Sequence, residues 1–340
     1  MRWGFIGAGG IAQNSLGPAV HAARGAVLRA SSSRSPVRAA ALKPEVVHDD
    51  YLSLLNDPTV DVVYIALHNS AHEEWVLRSL RAGKHVVCEK PLGLNAAEVA
   101  RMVDAARRSG RLLVEAYWNQ WHPRFRELAR IVRDGELGEI RSVRARFRGA
   151  QPAAGDYRTD PALGGGALYD VGCYAIAATL TAFGGREPLE VTAEQETTDR
   201  GVDAVTRAVL RFDTGSAFVE ACLRGDRDEE LLIKGDSGEV EFTYPVFTAK
   251  DQVSLLLRSA QRESISTFPP VDPYRLMVEE VSAAARGEDS FAFPVESSLL
   301  VARVMDAVRA AAIGTSASSG SGTDDSISLS GPDLNSANFS

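Results

Sequence analysis

The feature that most constrains the fold is the stretch RWGFIGAGGIA at residues 2–12. A short apolar run leads directly into the pattern G-x-G-x-x-A, which predicts a strand, a tight turn and the start of a helix. Glycines in such a turn let backbone N–H groups approach a pyrophosphate, and the final small residue lets helix and strand pack closely. Glycine-rich turns also occur without nucleotides, so the context must support a dinucleotide site. The predicted cofactor contacts here are Gly7, Gly9, Gly10, Ile11 and Ala12.

The second predicted strand, GAVLRAS at residues 25–31, bears on the choice of cofactor. An acid usually follows this strand and binds the ribose hydroxyls of NAD, but residues 13–44 contain no Asp or Glu. Ser33 and Arg34 follow the strand instead, and a guanidinium binds a 2′-phosphate well. The pattern therefore favours NADP over NAD. The alternative is that Arg34 is an ordinary solvated arginine.

Length and charge limit the possible classes of protein. A chain of 340 residues is long for one domain, and two domains are expected. The formal charge of −8 argues against nucleic-acid and membrane partners, and no apolar run approaches membrane-spanning length. The widely spaced Cys88, Cys173 and Cys222 form no CxxC pair, so we expect reduced thiols and a cytoplasmic location.

Alternating apolar segments and short connections predict an α/β fold. Residues 1–122 are expected to form a doubly wound parallel sheet, whose ligands lie outside the carboxyl ends of the strands. From residue 123 to 313, several strands in succession predict an α+β domain with a largely antiparallel sheet. Residues 314–340 are rich in Ser and Gly and are expected to form a disordered tail.

Lys90 is the first candidate catalytic residue. It follows a predicted strand and precedes a proline, in a chain that uses arginine for nearly all its positive charges. A compact ammonium fits beside a phenol or a carbonyl group. The alternative is an ordinary loop lysine.

Asp170 and Tyr174, in the stretch GGGALYDVGCYAI, are the next candidates. Four residues apart, they share one face of a predicted helix, and the preceding glycines are expected to let a ligand approach closely. A free phenol has a pKa of about 10, and an adjacent ammonium at Lys90 is expected to lower it toward a useful range. The alternative for Tyr174 is a buried structural tyrosine.

Four stretches together, GFIGAGGIA, IALHNSAH, GKHVVCEKP and GGGALYDVGCY, resemble the Gfo/Idh/MocA family of NAD(P)-dependent oxidoreductases. The resemblance implies a Rossmann fold for the first domain, a catalytic lysine at Lys90 and a cis bond before Pro91. It also implies a homodimer or homotetramer that assembles through the open face of the second sheet. Further cofactor contacts expected at the strand ends are Leu67, Asn69, His72, Ser33, Arg34, Glu89 and Lys90.

The chain departs from the family at two places. Tyr174 stands where most members have histidine, as in the subgroup with glucose–fructose oxidoreductase, dihydrodiol dehydrogenase and NADP-dependent xylose dehydrogenases. Gln120 stands where relatives of dihydrodiol dehydrogenase have an arginine, which leaves the substrate open. The resemblance implies hydride transfer to or from a sugar or polyol, with Tyr174 as acid–base and Asp170 binding a neighbouring hydroxyl or Lys90. Expected substrate contacts are Trp118, Trp121, His122, Asp156, Tyr157, Arg158 and Asp170.

Two other functions remain open at this point. One is reduction of a ketone on a nucleotide-linked deoxysugar, with arginines at 146, 148 and 158 available for a diphosphate. The other is a non-catalytic NADP-binding sensor on the same fold. The histidines form no HExxH pair and have no nearby Cys/His set, so no metal site is expected.

Overall fold

The computed structural model describes residues 1–259 and 262–318, and within this part the chain forms two sheets. The first sheet has six parallel strands in the order β3-β2-β1-β4-β5-β6, which confirms the doubly wound prediction. Its strands are β1 (Arg2–Ile6), β2 (Val27–Ser32), β3 (Val46–Val47), β4 (Val62–Ile65), β5 (His85–Cys88) and β6 (Leu113–Glu115). The strand order reverses between β1 and β4, so the crevice for a ligand opens beside the glycine turn.

Helices cover both faces of this sheet, as parallel strands buried on both sides require. They are α1 (Gly17–Ala22), α2 (Pro36–Ala41), α3 (Tyr51–Asn56), α4 (His72–Arg81) and α5 (Ala96–Ser109). A π-helical turn, Ala12–Leu16, connects the glycine turn to α1. The Asn95 side chain caps the start of α5 by accepting a hydrogen bond from Glu98 N at 2.9 Å.

The second sheet is mixed and mostly antiparallel, with the order β14-β13-β12-β11-β7-β10-β9-β8. Within this second sheet, the β7–β10 pair is the only parallel pair among the described strands. The strands are β7 (Ile140–Arg148), β8 (Glu190–Thr197), β9 (Asp203–Arg211), β10 (Ser216–Cys222), β11 (Asp228–Gly235), β12 (Gly238–Phe242), β13 (Val253–Ser259) and β14 (Glu263–Phe268). Strands β3, β13 and β14 were not predicted from the sequence.

The remaining helices join the two sheets around one hydrophobic core. They are α6 (Pro123–Arg133), α7 (Cys173–Ala182), α8 (Pro273–Ala285) and α9 (Val295–Ser318). A π-helical turn, Leu168–Gly172, precedes α7, and α7 is buried on nearly every side against the second sheet. Trp3 of β1 donates a hydrogen bond to Ser282 of α8 at 3.0 Å, which ties α8 to the first sheet. The backbone of α9 extends into the first residues of the expected tail, and residues 319–340 lie outside the described residues.

Candidate active site

The glycine turn after β1 fits a phosphate-binding cradle. Gly7 has φ +91°, and a Cβ there would lie 2.3 Å from Ala66 O, so only glycine suits this turn. At Gly9, in contrast, a Cβ would meet no atom within 4 Å, and at Gly10 it would meet only Asn14 at 3.9 Å. The backbone at Gly9 therefore faces open space at the carboxyl edge of the sheet. A pyrophosphate fits this space, and a larger side chain at Gly9 would occupy it.

The carboxyl end of β2 presents a cation that is not paired with an acid. Arg34 is exposed and forms no ion pair with any of the described residues, while Ser33 Oγ accepts a hydrogen bond from Ser35 N at 3.3 Å. The Arg34 charge adds to partial burial in lowering the pKa of His68, so the guanidinium lies near the end of β4. A 2′-phosphate beside Ser33 would therefore meet a guanidinium that forms no ion pair within the described part of the chain.

The side chains of Asn69 and His72 form hydrogen bonds with backbone carbonyls of neighbouring loops. The Asn69 amide donates to Gly164 O at 2.8 Å, which joins the first sheet to the loop before α7. His72 is fully buried, and its Nδ1 lies 2.8 Å from Pro91 O. Burial lowers the pKa of His72 to about 4, so the ring is neutral and donates through one nitrogen only. The Lys90–Pro91 bond is cis, which confirms the expectation from the resemblance.

Lys90 and Asp170 form a buried ion pair at the centre of the site. Lys90 Nζ lies 2.9 Å from Asp170 Oδ1 and also donates to Asp170 O at 2.6 Å. Arg158 Nε lies 3.0 Å from the same Oδ1 atom, so one carboxylate holds two cations. Burial alone would raise the pKa of Asp170, but Lys90 and Arg158 outweigh it and lower that pKa. Burial alone would lower the pKa of Lys90, yet the neighbouring charges, led by Asp170, raise it. The pair is therefore ionised at neutral pH.

Tyr174 lies against Lys90 through its ring. The Lys90 ammonium is 5.3 Å from the Tyr174 ring centroid, and Tyr174 is only 4% exposed. Burial, with added repulsion from Tyr274 and Glu89, raises the pKa of Tyr174 well above its usual range. The prediction that Lys90 lowers this pKa is wrong for this structure, because the ammonium faces the ring and desolvation dominates. Tyr174 is a neutral phenol at physiological pH.

Aromatic residues that sequence reasoning missed surround Tyr174. Its ring makes an edge contact with Tyr117 at 5.5 Å between centroids and tilted contacts with Phe147 at 5.6 Å and Phe247 at 6.2 Å. Tyr117 has a sequence signal, since it follows the strand end at Glu115. Phe247 has none, because a loop between β12 and β13 brings it to the site.

The predicted substrate residues divide into two groups. Tyr157, Arg158 and Asp170 belong to the centre, where the Arg158 guanidinium lies 4.6 Å from the Tyr157 ring centroid and Asp156 pairs with Arg158 at 3.2 Å. Trp118 stacks on Tyr274, with ring centroids 4.6 Å apart. Tyr157 and Arg158 lie close enough to Lys90 to affect its pKa.

Trp121 and His122 lie in the interior instead. Trp121 is fully buried and makes an edge contact with Phe291 at 5.3 Å. His122 is 2% exposed and accepts a hydrogen bond from Arg124 N at 3.1 Å, which caps the start of α6. Burial lowers the pKa of His122 to about 4. Their substrate role stays a prediction, while the described contacts are those of packing and capping.

The three glycines at 164–166 pack against protein. Added Cβ atoms would lie 2.8 Å from Asn69 Cβ, 2.4 Å from Arg158 O and 2.0 Å from Asp203 Oδ1, respectively. The expectation that these glycines let a ligand approach is therefore not supported. They let the loop before Asp170 fold closely enough to place Arg158 beside it.

Two buried glutamates lie at strand ends: Glu89 directly follows β5, and Glu115 is the last residue of β6. Glu89 Oε1 accepts a hydrogen bond from Tyr64 at 2.6 Å, and burial raises the pKa of Glu89. Glu115 Oε1 accepts from Leu92 N at 2.8 Å. Both carboxyls face the protein interior, as expected for groups that support the strand ends.

The remaining sequence hypotheses concern features away from this centre. Arg146 and Arg148 lie on the open face of the second sheet, where Arg146 pairs with Glu230 at 3.2 Å and Arg148 with Glu220 at 2.7 Å. Among the described residues, no cluster of three or more His, Cys, Asp or Glu side chains is arranged to hold a metal ion. In the same part of the chain, no helix has both the length and the apolar character to span a membrane.

Comparisons with known proteins match both halves of the chain. Residues 1–117 match the oxidoreductase family with an NAD-binding Rossmann fold, and residues 125–241 match the C-terminal domain of the same family. The D-xylose 1-dehydrogenase (NADP(+)) 2 of Haloferax volcanii is 34% identical over 91% of this chain and 96% of its own length. The trans-1,2-dihydrobenzene-1,2-diol dehydrogenase of Bos taurus is 31% identical over 74% of this chain and 77% of its own.

Among solved structures, a 3-ketoreductase from Actinomadura kijaniata in complex with NADP and TDP-benzene superposes with a TM-score of 0.82. It is 30% identical and covers 92% of this chain and 97% of its own. The parallel first sheet and the mixed second sheet agree with the two family matches. The chain belongs to the Gfo/Idh/MocA family and is an NAD(P)-dependent oxidoreductase.

Proposed function

We propose that the protein transfers a hydride between NADP and a carbon of a sugar or polyol, as an oxidoreductase of the CH–OH group. The observation that carries the proposal is the ionised Lys90–Asp170 pair against Tyr174, at the sheet edge that holds the glycine cradle. The similarity to a xylose dehydrogenase over 91% of the chain supports a sugar substrate.

Tyr174 is the proposed proton donor and acceptor. As a neutral phenol it gives its proton to the substrate oxygen during reduction, which leaves a phenolate. Oxidation is the reverse step, in which the phenolate form accepts the proton of the substrate hydroxyl. Lys90 places a positive charge near the same oxygen, where negative charge develops. Asp170 keeps Lys90 ionised and fixes its position through two hydrogen bonds. NADP, when bound, supplies or accepts the hydride.

The proposed cofactor contacts follow from the cradle and from the end of β2. The backbone at Gly7, Gly9 and Gly10 would hold the pyrophosphate, and Ser33 with Arg34 would hold the 2′-phosphate. The relatives support NADP, since the xylose dehydrogenase is NADP-dependent and the ketoreductase structure contains NADP. The other proposed contacts are Ile11, Ala12, Leu67, Asn69, His72, Glu89 and Lys90.

The substrate would lie between Lys90 and the side chains of Trp118, Tyr157 and Arg158. Aromatic faces pack against the apolar side of a sugar ring, and Arg158 together with Asp156 offers hydrogen bonds to its hydroxyls. Gln120 is 7% exposed and its Nε2 has no hydrogen-bond partner among the described residues. A substrate hydroxyl is a suitable partner for this amide.

A second candidate function is reduction of a ketone on a nucleotide-linked deoxysugar. The structural match to the 3-ketoreductase favours it, and solved variants of that enzyme alter a lysine and a tyrosine at the same sequence separation as Lys90 and Tyr174. The ion-paired positions of Arg146 and Arg148 on the outer face of the sheet remove two of the cations expected for a diphosphate. We therefore rank this function below the first. A non-catalytic NADP-binding sensor is the third candidate function, and the assay described below distinguishes it from the two enzymes.

We also propose a homodimer or homotetramer that forms through the open face of the second sheet. One row of side chains crosses this face from β9 to β14, and strand register places its members side by side. The row consists of Val209, Phe218, Arg144, Leu232, Glu241, Leu256 and Ile265. Ile265 is 64% exposed. An apolar row with ion pairs beside it matches the usual anatomy of a protein interface. The three free, buried cysteines are compatible with the proposed cytoplasmic location.

The test follows nicotinamide absorbance with NADP or NAD and a panel of aldoses, polyols, diols and a nucleotide-linked ketosugar. Wild type, Tyr174→Phe and the control Tyr244→Phe are compared, since Tyr244 is 56% exposed whereas Tyr174 is buried. We expect NADP-linked turnover of a sugar or polyol that Tyr174→Phe reduces by about 100-fold or more. Turnover of only the nucleotide-linked ketosugar would support the ketoreductase. Tight NADPH binding without any turnover would support the sensor.

A further inference from the structure

The three-residue turn Lys90–Leu92 is held at two backbone atoms by two buried side chains. His72 Nδ1 lies 2.8 Å from Pro91 O, and Glu115 Oε1 accepts the Leu92 N–H at 2.8 Å. These bonds come from different elements, the start of α4 and the end of β6. The backbone that carries Lys90 therefore has no freedom to shift unless one of these side chains moves.

Glu115 does more than accept one hydrogen bond. It is 2% exposed, and its second oxygen, Oε2, has no hydrogen-bond partner among the described residues. The Tyr117 and Ser298 hydroxyls lie close to the carboxyl but outside good hydrogen-bonding geometry, and they too are buried and unpartnered within the described part of the chain. The two hydroxyls are the natural donors to this oxygen, and both lower the pKa of Glu115 as hydrogen-bond donors do.

The surroundings of Glu115 connect it to both halves of the catalytic centre. Leu92 links it to Lys90, and Tyr117 links it to Tyr174, whose ring centroid is 5.5 Å from that of Tyr117. The titratable groups that face the Glu115 carboxyl are Lys90, Tyr117, Cys88 and Cys173. Burial raises the pKa of Glu115 to about 7, although Ser298, the Leu92 N–H, Tyr117 and Lys90 each oppose this change.

We propose that Glu115 is the positioning residue shared by Lys90 and Tyr174, acting through the Leu92 N–H on one side and through Tyr117 on the other. This proposal rests on the proposed function only for its kinetic consequences. When ionised, Glu115 is a stronger acceptor for the Leu92 N–H, because charge-assisted hydrogen bonds are stronger than neutral ones. When protonated, it becomes a donor that satisfies the Tyr117 or Ser298 hydroxyl. A group that never touches the substrate thus makes the site depend on pH near neutrality.

The experiment compares wild type with Glu115→Gln and Glu115→Ala. Asp57→Asn serves as the control, because Asp57 also holds a backbone N–H, that of Thr59 at 2.7 Å, but lies at the opposite edge of the sheet. Two measurements need no substrate: hydrogen exchange of the peptide spanning residues 90–95, and the rate at which Lys90 reacts with an acylating reagent. Both are recorded from pH 6 to pH 8 alongside kcat and the KM for NADPH.

We expect Glu115→Gln to keep the Leu92 hydrogen bond and to remove the pH dependence of Leu92 N–H protection near pH 7, once exchange rates are corrected for base catalysis of amide exchange. Glu115→Ala should speed exchange of the Leu92 N–H by about tenfold, as expected for the loss of one buried hydrogen bond. It should also alter Lys90 reactivity and lower kcat by about tenfold or more, with little change in the KM for NADPH. Gln at this position should restore most of kcat.

Two results would overturn the proposal. The first is that Glu115→Ala exchanges the Leu92 N–H and is acylated at Lys90 at the same rates as wild type. The second is that Glu115→Gln shows the same pH dependence of these measurements as wild type. If Glu115→Ala does not fold, Glu115→Gln still decides the question through its pH profile. If wild type turns over no substrate at all, the proposed function fails, whereas exchange at Leu92 and reactivity at Lys90 still test the role of Glu115.

Discussion

The ammonium of Lys90 lies over the ring of Tyr174, 5.3 Å from its centroid, while its hydrogen bonds go to Asp170. A cation over an aromatic face is attracted by the ring quadrupole and does little to stabilise a phenolate oxygen. The phenol therefore keeps its proton, as its proposed role of proton donor requires. The two residues are neighbours, as the sequence suggested. The Lys90 ammonium faces the Tyr174 ring, however, and not the phenol oxygen.

The first prediction separates the roles of two glycines in the same turn. Gly9→Val should leave the free energy of unfolding unchanged, because a Cβ at Gly9 meets no atom within 4 Å. The same change should weaken NADPH binding by about tenfold or more, since the side chain fills the proposed pyrophosphate space. Gly7→Ala should lower stability by about 1–2 kcal/mol or more, because φ is +91° there and Ala66 O is 2.3 Å away.

Urea denaturation and fluorescence titration with NADPH measure the two quantities. A Gly9→Val protein that unfolds as easily as Gly7→Ala would contradict the first half of this prediction. Unchanged NADPH affinity in Gly9→Val would contradict the second.

Arg34 should determine the preference for NADP. Removing a charge-assisted contact to the 2′-phosphate costs about 1.5–3 kcal/mol, so Arg34→Ala should weaken NADP binding by about 10- to 100-fold. Binding of NAD should not change. Arg24→Ala is the control, because Arg24 is 91% exposed and pairs with Glu279. Calorimetric titration with each cofactor tests this, and an equal loss for NAD and NADP would argue against the assigned site.

His72 should make the folded protein sensitive to acid. Burial lowers its pKa to about 4 from the usual 6.5, so between these values the unfolded chain binds more protons than the folded one. Stability due to this group is therefore complete above pH 6.5 and is lost as pH falls toward 4, by up to about 3 kcal/mol. His72→Gln retains a donor for Pro91 O and should lack this part of the pH dependence. Chemical denaturation at a series of pH values measures this. If the free energies of unfolding of wild type and His72→Gln change in parallel with pH, the prediction is wrong.

Arg124 should be a major source of stability in the second domain. It is fully buried, and its guanidinium donates to the carbonyls of Thr243 at 2.8 Å, Pro245 at 2.6 Å and Val246 at 2.7 Å. Arg124→Met leaves these acceptors unpaired and should lower the free energy of unfolding by about 3 kcal/mol or more.

The matched control for Arg124 is Arg133→Met at the end of the same helix, where the side chain is 70% exposed. Its unfolding free energy should change by no more than about 0.5 kcal/mol. Chemical denaturation of both variants gives the comparison. A loss of similar size in both would show that the buried hydrogen bonds are not responsible.

Local patterns in the sequence were sufficient for most of the first domain. Strands flanked by glycine turns and capped helices have strong local signals, and α5 lies between its Asn95 cap and Gly110. The second sheet was harder to read. Exposed and half-buried side chains alternate along strand β14, but neither of its faces is clearly apolar, because the strand lies at the edge of the sheet. The sequence therefore carries no strong strand signal there. Strand β3 has only two residues, too few for a periodic pattern.

The sequence by itself determined the doubly wound first domain, the cradle at Gly9 and the association of Lys90 with the motif that contains Tyr174. Each of these depends on residues close in sequence or on a motif with a fixed place in the fold. Only the tertiary structure decided which atoms meet: Lys90 with the ring of Tyr174, Glu115 with Leu92, and Arg124 with the loop that carries Phe247. Burial sets the charge of these groups, and burial results from packing between distant segments, which no local pattern records.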